Sequence, residues 1–456
     1  MRIESDLLGK IDISDNVYWG LHTERARRNF RFSNYKVPKA LIRALSMVKK
    51  ACCMANHELG FLDENKAKAI EIACDEICEG RFDDQFPLDA LQGGAGTSTN
   101  MNINEVIANR AIEILGSKKG DYNVVHPIHD VNLHQSTNDV YPTAVKVASI
   151  FKLRELSNAV AKLQGAFQKK EKAFAGIVKI GRTELQEAVP ITLGAEFGAF
   201  AEAISRDRWR TFKCEERLRV TNLGGTAVGT GLTAPKNYIF LVIEKLREIT
   251  GLGLSRGENV PAETANADPF VEVSGILKAH ASNIVKIFND LRLLNLLGEI
   301  ELSAVQTGSS IMPGKVNPVL CEAAMQVGLK VMANDFLITE TVSRSTLQIC
   351  EFIPLLAFAI LESLEILTNL DINLCEHVLE IKANEEKCKE YIDKSLTIVT
   401  ALLPVIGYKE AENLIKEFLK KGKTDFRAFL NEKQGKEVVD RMLSPYNLTS
   451  LGYRDE

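Results

Sequence analysis

The most regular feature of the chain is a set of long stretches in which apolar residues return every three or four positions. From Pro142 to Gly176 they fall at Val147, Ile150, Leu153, Leu156, Val160, Leu163 and Phe167, one stripe along one face of a helix. Gly176 suits the end of that helix. A second stripe runs through Val273, Leu277, His280, Ala281, Ile284, Phe288, Leu291 and Leu294 with no interior proline. A third helix is predicted to open at Asn317-Pro318, a capping residue followed by proline at the first helical position. It continues through Leu320, Ala324, Val327 and Val331. Helices of about thirty residues reach roughly 45 Å, more than one compact domain needs. Strand-like alternation is scarce. The expected fold class is therefore all-α: an elongated central long-helix bundle over 139–388, whose apolar faces can continue between subunits. Residues 1–138 and 389–456 have shorter elements and more turns, and read as smaller N- and C-terminal domains.

Composition narrows the class. At 456 residues the chain exceeds what one hydrophobic core usually serves. Hydrophobic residues at 45% and charged residues at 25% are ordinary for a globular protein and argue against disordered or fibrous classes. The formal net charge is -4 with no long single-sign run, so no nucleic-acid footprint is expected. Nine cysteines, an odd number in a long chain, point to reduced thiols in the cytoplasm rather than a disulfide framework. Met1-Arg2-Ile3-Glu4-Ser5-Asp6 lacks the apolar run of a signal peptide, and no uncharged stretch reads as long enough to cross a bilayer. No membrane partner is expected.

Four polar segments interrupt the helical patterns: Gly93–Asn100, Gln135–Asp139, Gly181–Gln186 and Gly308–Pro318. Each offers hydroxyl, amide and main-chain donors, and the last adds Lys315 just before a helix start. Helix starts present free N–H groups and the positive end of the dipole, so these segments suit a small polyanion such as a dicarboxylate. Competing motifs fail. Gly229-Thr230-Gly231-Leu232-Thr233-Ala234 fits a dinucleotide fingerprint formally but follows no strand of a βαβ unit. Gly422-Lys423-Thr424 resembles the end of a phosphate loop, but Glu417 stands where its first glycine belongs. His126, His129 and His134 have no metal-binding spacing and read as locally hydrogen-bonded. Cys74 and Cys78 lie one turn apart without a second pair, which favours core packing. No metal site is expected.

The segment Gly308-Ser309-Ser310-Ile311-Met312-Pro313-Gly314-Lys315-Val316-Asn317-Pro318 fills every fixed position of GSSxMPxKxNP. It resembles the signature of the aspartase/fumarase superfamily. The similarity extends over nearly the whole chain, from Arg2–Gly9 to Leu443-Ser444-Pro445. Within the superfamily, Gly93-Gly94-Ala95-Gly96-Thr97, Ser136-Thr137-Asn138-Asp139 and Leu185-Gln186-Glu187-Ala188-Val189-Pro190 look more like aspartate ammonia-lyases than class II fumarases. Two departures stand out. Glu184 occupies a position where the family usually carries histidine or glutamine. The run Leu294–Glu299 replaces a longer loop containing Gly-Pro-Arg.

The resemblance implies a lyase that releases ammonia from L-aspartate to form fumarate, with no organic cofactor. A class II fumarate hydratase and a lyase acting on an N-substituted aspartate are the alternatives. Ser309 would remove the Cβ proton, and Lys315 would help stabilise its deprotonated form. A serine hydroxyl needs such activation to act as a base. The family pattern suggests Thr97, Ser136, Thr137 and Ser310 at the β-carboxylate, and Thr183, Lys315 and Asn317 at the α-carboxylate. Asn138 and Glu184 would face the amino group, and Glu322 would orient Lys315 from behind. The intermediate would be an aci-carboxylate, for which one well-placed donor is worth roughly 3–4 kcal/mol. Beside an ammonium, the Glu184 carboxylate makes a charge-assisted hydrogen bond; beside a hydroxyl it gains less. The resemblance further implies a homotetramer in which three subunits supply each active site.

Overall fold

In a computed structural model, residues 1–450 and 452–453 are described. Antiparallel strands β1 (Arg2–Asp6) and β2 (Gly9–Ile13) precede α1 (Leu21–Asn29), α2 (Lys39–Glu58), α3 (Glu64–Cys78), α4 (Thr97–Ile114) and α5 (Thr137–Ala173). The antiparallel hairpin β3 (Val178–Thr183) and β4 (Gln186–Thr192) leads into α6 (Leu193–Leu218). Then come β5 (Val220–Thr221), α7 (Lys236–Thr250), β6 (Ser255–Arg256), α8 (Val260–Ala265) and α9 (Asp268–Leu297). After β7 (Ile300–Glu301) follow α10 (Val319–Ser343), α11 (Ile353–Glu380) and β8 (Lys382–Ala383). The chain finishes with α12 (Glu385–Lys394), α13 (Leu403–Lys421), α14 (Phe426–Gln434), α15 (Lys436–Met442) and α16 (Pro445–Thr449). The strands form only two-stranded ladders. The fold class is all-α.

By proximity the chain forms two compact units. The first holds residues 1–157, 210–279 and 330–367; the second holds 158–209, 280–329 and 368–456. Every border falls inside one of the five long helices α5, α6, α9, α10 and α11. This division differs in kind from the three-part division by element length along the chain.

The three periodic stripes correspond to α5, α9 and α10, with instructive differences at their ends. Helix α5 starts before Pro142 and ends at Ala173, ahead of Gly176. Pro142 lacks the N–H that would bond the carbonyl of Asn138 one turn earlier. The side chain of Asn222 substitutes, its Nδ2 donating to that carbonyl at 2.9 Å. At α10, Asn317 is not the expected side-chain cap. Its Nδ2 donates to the carbonyl of Gly308 at 2.9 Å, closing the preceding loop, and the helix begins at Val319.

In the second unit, His280 explains why a histidine sits in an apolar stripe. It is buried on α9 between Asp207 of α6 and Asp371 of α11, with 3.0 Å from Nδ1 to Asp207 and 3.0 Å from Nε2 to Asp371. Burial alone would strip its proton. The charge of Asp371 and hydrogen bonds to both aspartates outweigh that effect and push its pKa up to about 10. The same unit holds an apolar cluster of Ile180, Ile392, Ile398, Leu414, Phe418, Phe426 and Phe429.

One helix bears on the expectation that no uncharged stretch crosses a bilayer. Among the described residues α11 is long and apolar enough to cross a membrane, with a mean hydropathy of 1.6 over its most apolar window. Its scattered acidic residues break the uncharged run that a bilayer signal suggests. Since 67% of that window is buried within the protein, the apolarity serves a core helix.

Candidate active site

The first unit carries Thr97, Ser136, Thr137 and Asn138 at two helix starts. Gly93–Gly96 turns the chain into α4, with Gly96 at φ 91°. A Cβ at Gly96 would lie 2.6 Å from the Tyr141 ring, so backbone and ring meet there only because the residue is glycine. Thr97 follows as the first residue of α4, exposed. At the start of α5, the Ser136 N–H donates to Asp139 Oδ1 at 3.0 Å, and the Asn138 N–H donates to Ser136 Oγ at 3.2 Å. Thr137 Oγ1 accepts from Asn100 Nδ2 at 3.1 Å. Asn138 Nδ2 donates to the carbonyl of Ala227 at 2.7 Å, so this side chain is held by the 222–227 loop.

Beneath these residues lies a buried polar network that the sequence reading missed. Lys49 Nζ donates to Asn132 Oδ1 at 2.9 Å and to Gln135 Oε1 at 2.8 Å. Asn132 Oδ1 also accepts from Asn100 and Asn104. Complete burial with only amide oxygens as direct partners pulls the Lys49 pKa down to about 8. Asp139 accepts further N–H groups from Gly224 at 3.2 Å and Thr226 at 3.1 Å, yet burial raises its pKa to about 6. The available signal for Lys49 was a charge on the buried stripe of α2, between Leu45 and Cys52. A narrow cleft in this unit is lined by Ala95, Asn138, Lys146, Glu263, Phe270 and Cys350, among others.

The second unit carries the other predicted residues on a hairpin and a loop. Thr183 and Glu184 lie exposed at the β3–β4 tip. Glu184 and Leu185 form its two-residue turn with φ of 52° and 62°, the both-positive pattern of a type I′ turn, normally filled by Asn and Gly. Among the described residues, Glu184 has no side-chain hydrogen bond or ion pair.

The Ser309 loop closes on itself. The Gly308 N–H donates to the carbonyl of Lys315 at 2.7 Å, and Asn317 Nδ2 returns to the Gly308 carbonyl. A Cβ at Gly308 would meet the Lys315 carbonyl oxygen at 2.7 Å, so only glycine permits the closure. Inside the loop, Ser309 Oγ accepts two main-chain N–H bonds, from Ile311 at 3.2 Å and Met312 at 2.9 Å. Two amide dipoles aimed at one oxygen stabilise negative charge on it. Ser310 and Lys315 are exposed. Glu322 occupies the first turn of α10 and makes no ion pair with Lys315.

His126 Nδ1 accepts the N–H groups of Ile128 and His129, and His134 Nδ1 lies 2.7 Å from Asn56 Oδ1. His126 is thus bonded locally, as expected, whereas His134 pairs with a side chain of α2 far away in sequence.

Comparison with known proteins identifies the family. A family profile described as "Lyase" matches residues 9–333, and one described as "Fumarase C C-terminus" matches 398–450. The chain belongs to the aspartase/fumarase superfamily of lyases and is an enzyme of that class. Relatives named aspartate ammonia-lyase include one from a Bacillus species, 43% identical over 99% of this chain and 98% of its own length. Another, from Pseudomonas aeruginosa, is 44% identical over 92% of this chain and 91% of its own. Among solved structures, a "fumarate lyase:delta crystallin from Brucella melitensis bound to cobalt" superposes with a TM-score of 0.94 at 44% identity, covering 99% of this chain and 100% of that one. The class II fumarase of Schistosoma mansoni superposes with a TM-score of 0.91 at 32% identity, covering 97% and 98%.

Proposed function

We propose that this enzyme eliminates ammonia from L-aspartate to give fumarate, with Ser309 as the base. The single observation that carries the chemical part is the environment of Ser309 Oγ, which accepts two main-chain N–H groups inside a glycine-closed loop. Those donors lower the cost of an alkoxide, and Lys315, a cation in the same loop, adds to the effect. Near-full-length similarity to aspartate ammonia-lyases supports the choice of substrate.

In the proposed reaction the Ser309 alkoxide takes the Cβ proton, and the electron pair of that C–H bond moves into the β-carboxylate. The aci-carboxylate so formed carries an extra negative charge on its oxygens. Thr97, Ser136, Thr137 and Ser310 supply hydrogen-bond donors to them, while Thr183, Lys315 and Asn317 hold the α-carboxylate. The pair then returns to form the double bond, the C–N bond breaks, and the ammonium leaves as ammonia. Asn138 and Glu184 face the amino group. Glu184 suits that task because, among the described residues, its carboxylate has no partner of its own, while Glu322, unpaired with Lys315, faces the positive end of the α10 dipole.

The proposal includes a homotetramer with shared sites, which membership of the superfamily supports; among the described residues the exposed Lys315 side chain makes no ion pair. A substrate panel with ultraviolet detection of fumarate tests the reaction. Turnover of L-malate without turnover of L-aspartate would replace it with a hydratase, and selective turnover of an N-substituted aspartate would reassign the leaving group. Mixing inactive Ser309→Ala and Thr137→Val proteins tests the shared site. Recovered activity after subunit exchange is expected, and none would remove the sharing.

A further inference from the structure

We propose that Glu299 is a positioning residue that holds the Thr183–Glu184 tip in its strained turn, acting through Arg182 and Lys179. This rests on the reading above only for what the tip binds.

Glu299 is completely buried, its side chain showing 0% exposure. Oε1 accepts from Arg182 Nη1 at 2.7 Å, and Oε2 lies 2.9 Å from Lys179 Nζ. The second contact is an ion pair rather than an aligned hydrogen bond, because Oε2 has no hydrogen-bond donor. Lys179 is directed instead at Glu196 Oε2, 2.6 Å away. Two carboxylates and two cations thus balance around the buried Glu299 and Lys179, where removing one partner leaves an uncompensated charge. Arg182 also lies over the Tyr391 ring, 5.0 Å from its centre.

The main chain of Glu299 is fixed on both sides. Its N–H donates to the Leu294 carbonyl at 3.0 Å, and its own carbonyl accepts from Asn384 at 2.9 Å. A rigid anion therefore grips β3 at Arg182, one residue before Thr183. That grip is placed where strain needs opposing. Glu184 and Leu185 hold positive φ without glycine, costing on the order of 1–3 kcal/mol each, and the ladder shifts register between Ile180 and Arg182. Strained turns persist only where surrounding structure over-determines them.

Glu299→Gln keeps the volume and removes the charge. The Michaelis constant for L-aspartate should rise about tenfold or more, with kcat within about threefold, since displaced binding groups cost orders of magnitude and uniform binding appears in KM. Hydrogen exchange at residues 182–187 should accelerate while the α9 and α11 amides stay protected. Unchanged KM together with unchanged hairpin exchange overturns the proposal. So does a lower melting temperature with KM unchanged and exchange raised throughout the unit, the outcome of a purely structural role. If Glu299→Gln does not fold, Arg182→Lys, which keeps the charge but shortens the reach, is read by the same criteria. If wild-type enzyme ignores L-aspartate, the substrate reading fails, and the exchange measurement alone decides this inference.

Discussion

In the proposed reaction the hydroxyl-bearing helix starts of the first unit and the Ser309 loop of the second have comparable tasks, but their construction is opposite. The first is bolted from beneath: Thr137 to Asn100, Asn138 to Ala227, Asp139 to two loop amides, and Lys49 to two half-buried amide side chains. The Ser309 loop bonds mainly to itself, and Ile311 and Met312 beside the serine are 84% and 48% exposed. Groups that only bind charge gain from rigid placement. A base that must meet substrate and exclude water gains from a segment with few buried contacts, which opens at low cost.

The largest effect should come from the loop. Ser309→Ala removes the base and should lower kcat by about 10²–10⁴-fold while leaving the melting temperature unchanged, because the hydroxyl bonds only within its loop. Full activity in that variant would end the mechanism. Next is Lys49→Met in the first unit, which strips donors from Asn132 and Gln135 and should cost about 1–3 kcal/mol of stability, read by denaturant melts. Its pH dependence has a definite sign. Folding lowers the Lys49 pKa from 10.5 to about 8, so between those values the unfolded chain holds a proton that the folded chain has released. Lys49 therefore makes stability rise with pH across that window, and the rise should vanish in Lys49→Met. A difference of opposite slope would contradict the buried-cation picture.

Smaller effects sharpen the contrast. Gly308→Ala pushes a Cβ against the Lys315 carbonyl and should reduce kcat about tenfold or more through loss of placement, with the melting temperature again unmoved. An equal loss of stability would mean that the loop is bolted like the first unit after all. Glu184→Gln should be mildest: preference for L-aspartate over L-malate falls by roughly 1–2 kcal/mol, the worth of charge on a hydrogen bond. Unaltered selectivity would detach Glu184 from the amine.

Much of this was legible in the chain itself. A period of 3.6 is a local property, so the stripes through Val147, Leu277 and Leu320 identified α5, α9 and α10 without tertiary information. The Gly308–Pro318 signature likewise marked Ser309, because loop closure and chemistry use neighbouring residues. Helix ends were less legible. Pro142 sits inside α5 because Asn222, eighty positions away in sequence, satisfies the orphaned carbonyl, and Asn317 left its cap position to close a loop.

What only the tertiary structure decided are the long-range polar pairings. Lys49, His280 and Glu299 look in sequence like a charge interrupting an apolar stripe, a stripe member and a loop residue. Folding buries each, and burial makes an unpaired charge so costly that its partners must be gathered from distant segments. Sequence determines where apolar faces fall because periodicity is written residue by residue. Which buried charge meets which partner depends on distances that exist only after those faces have packed.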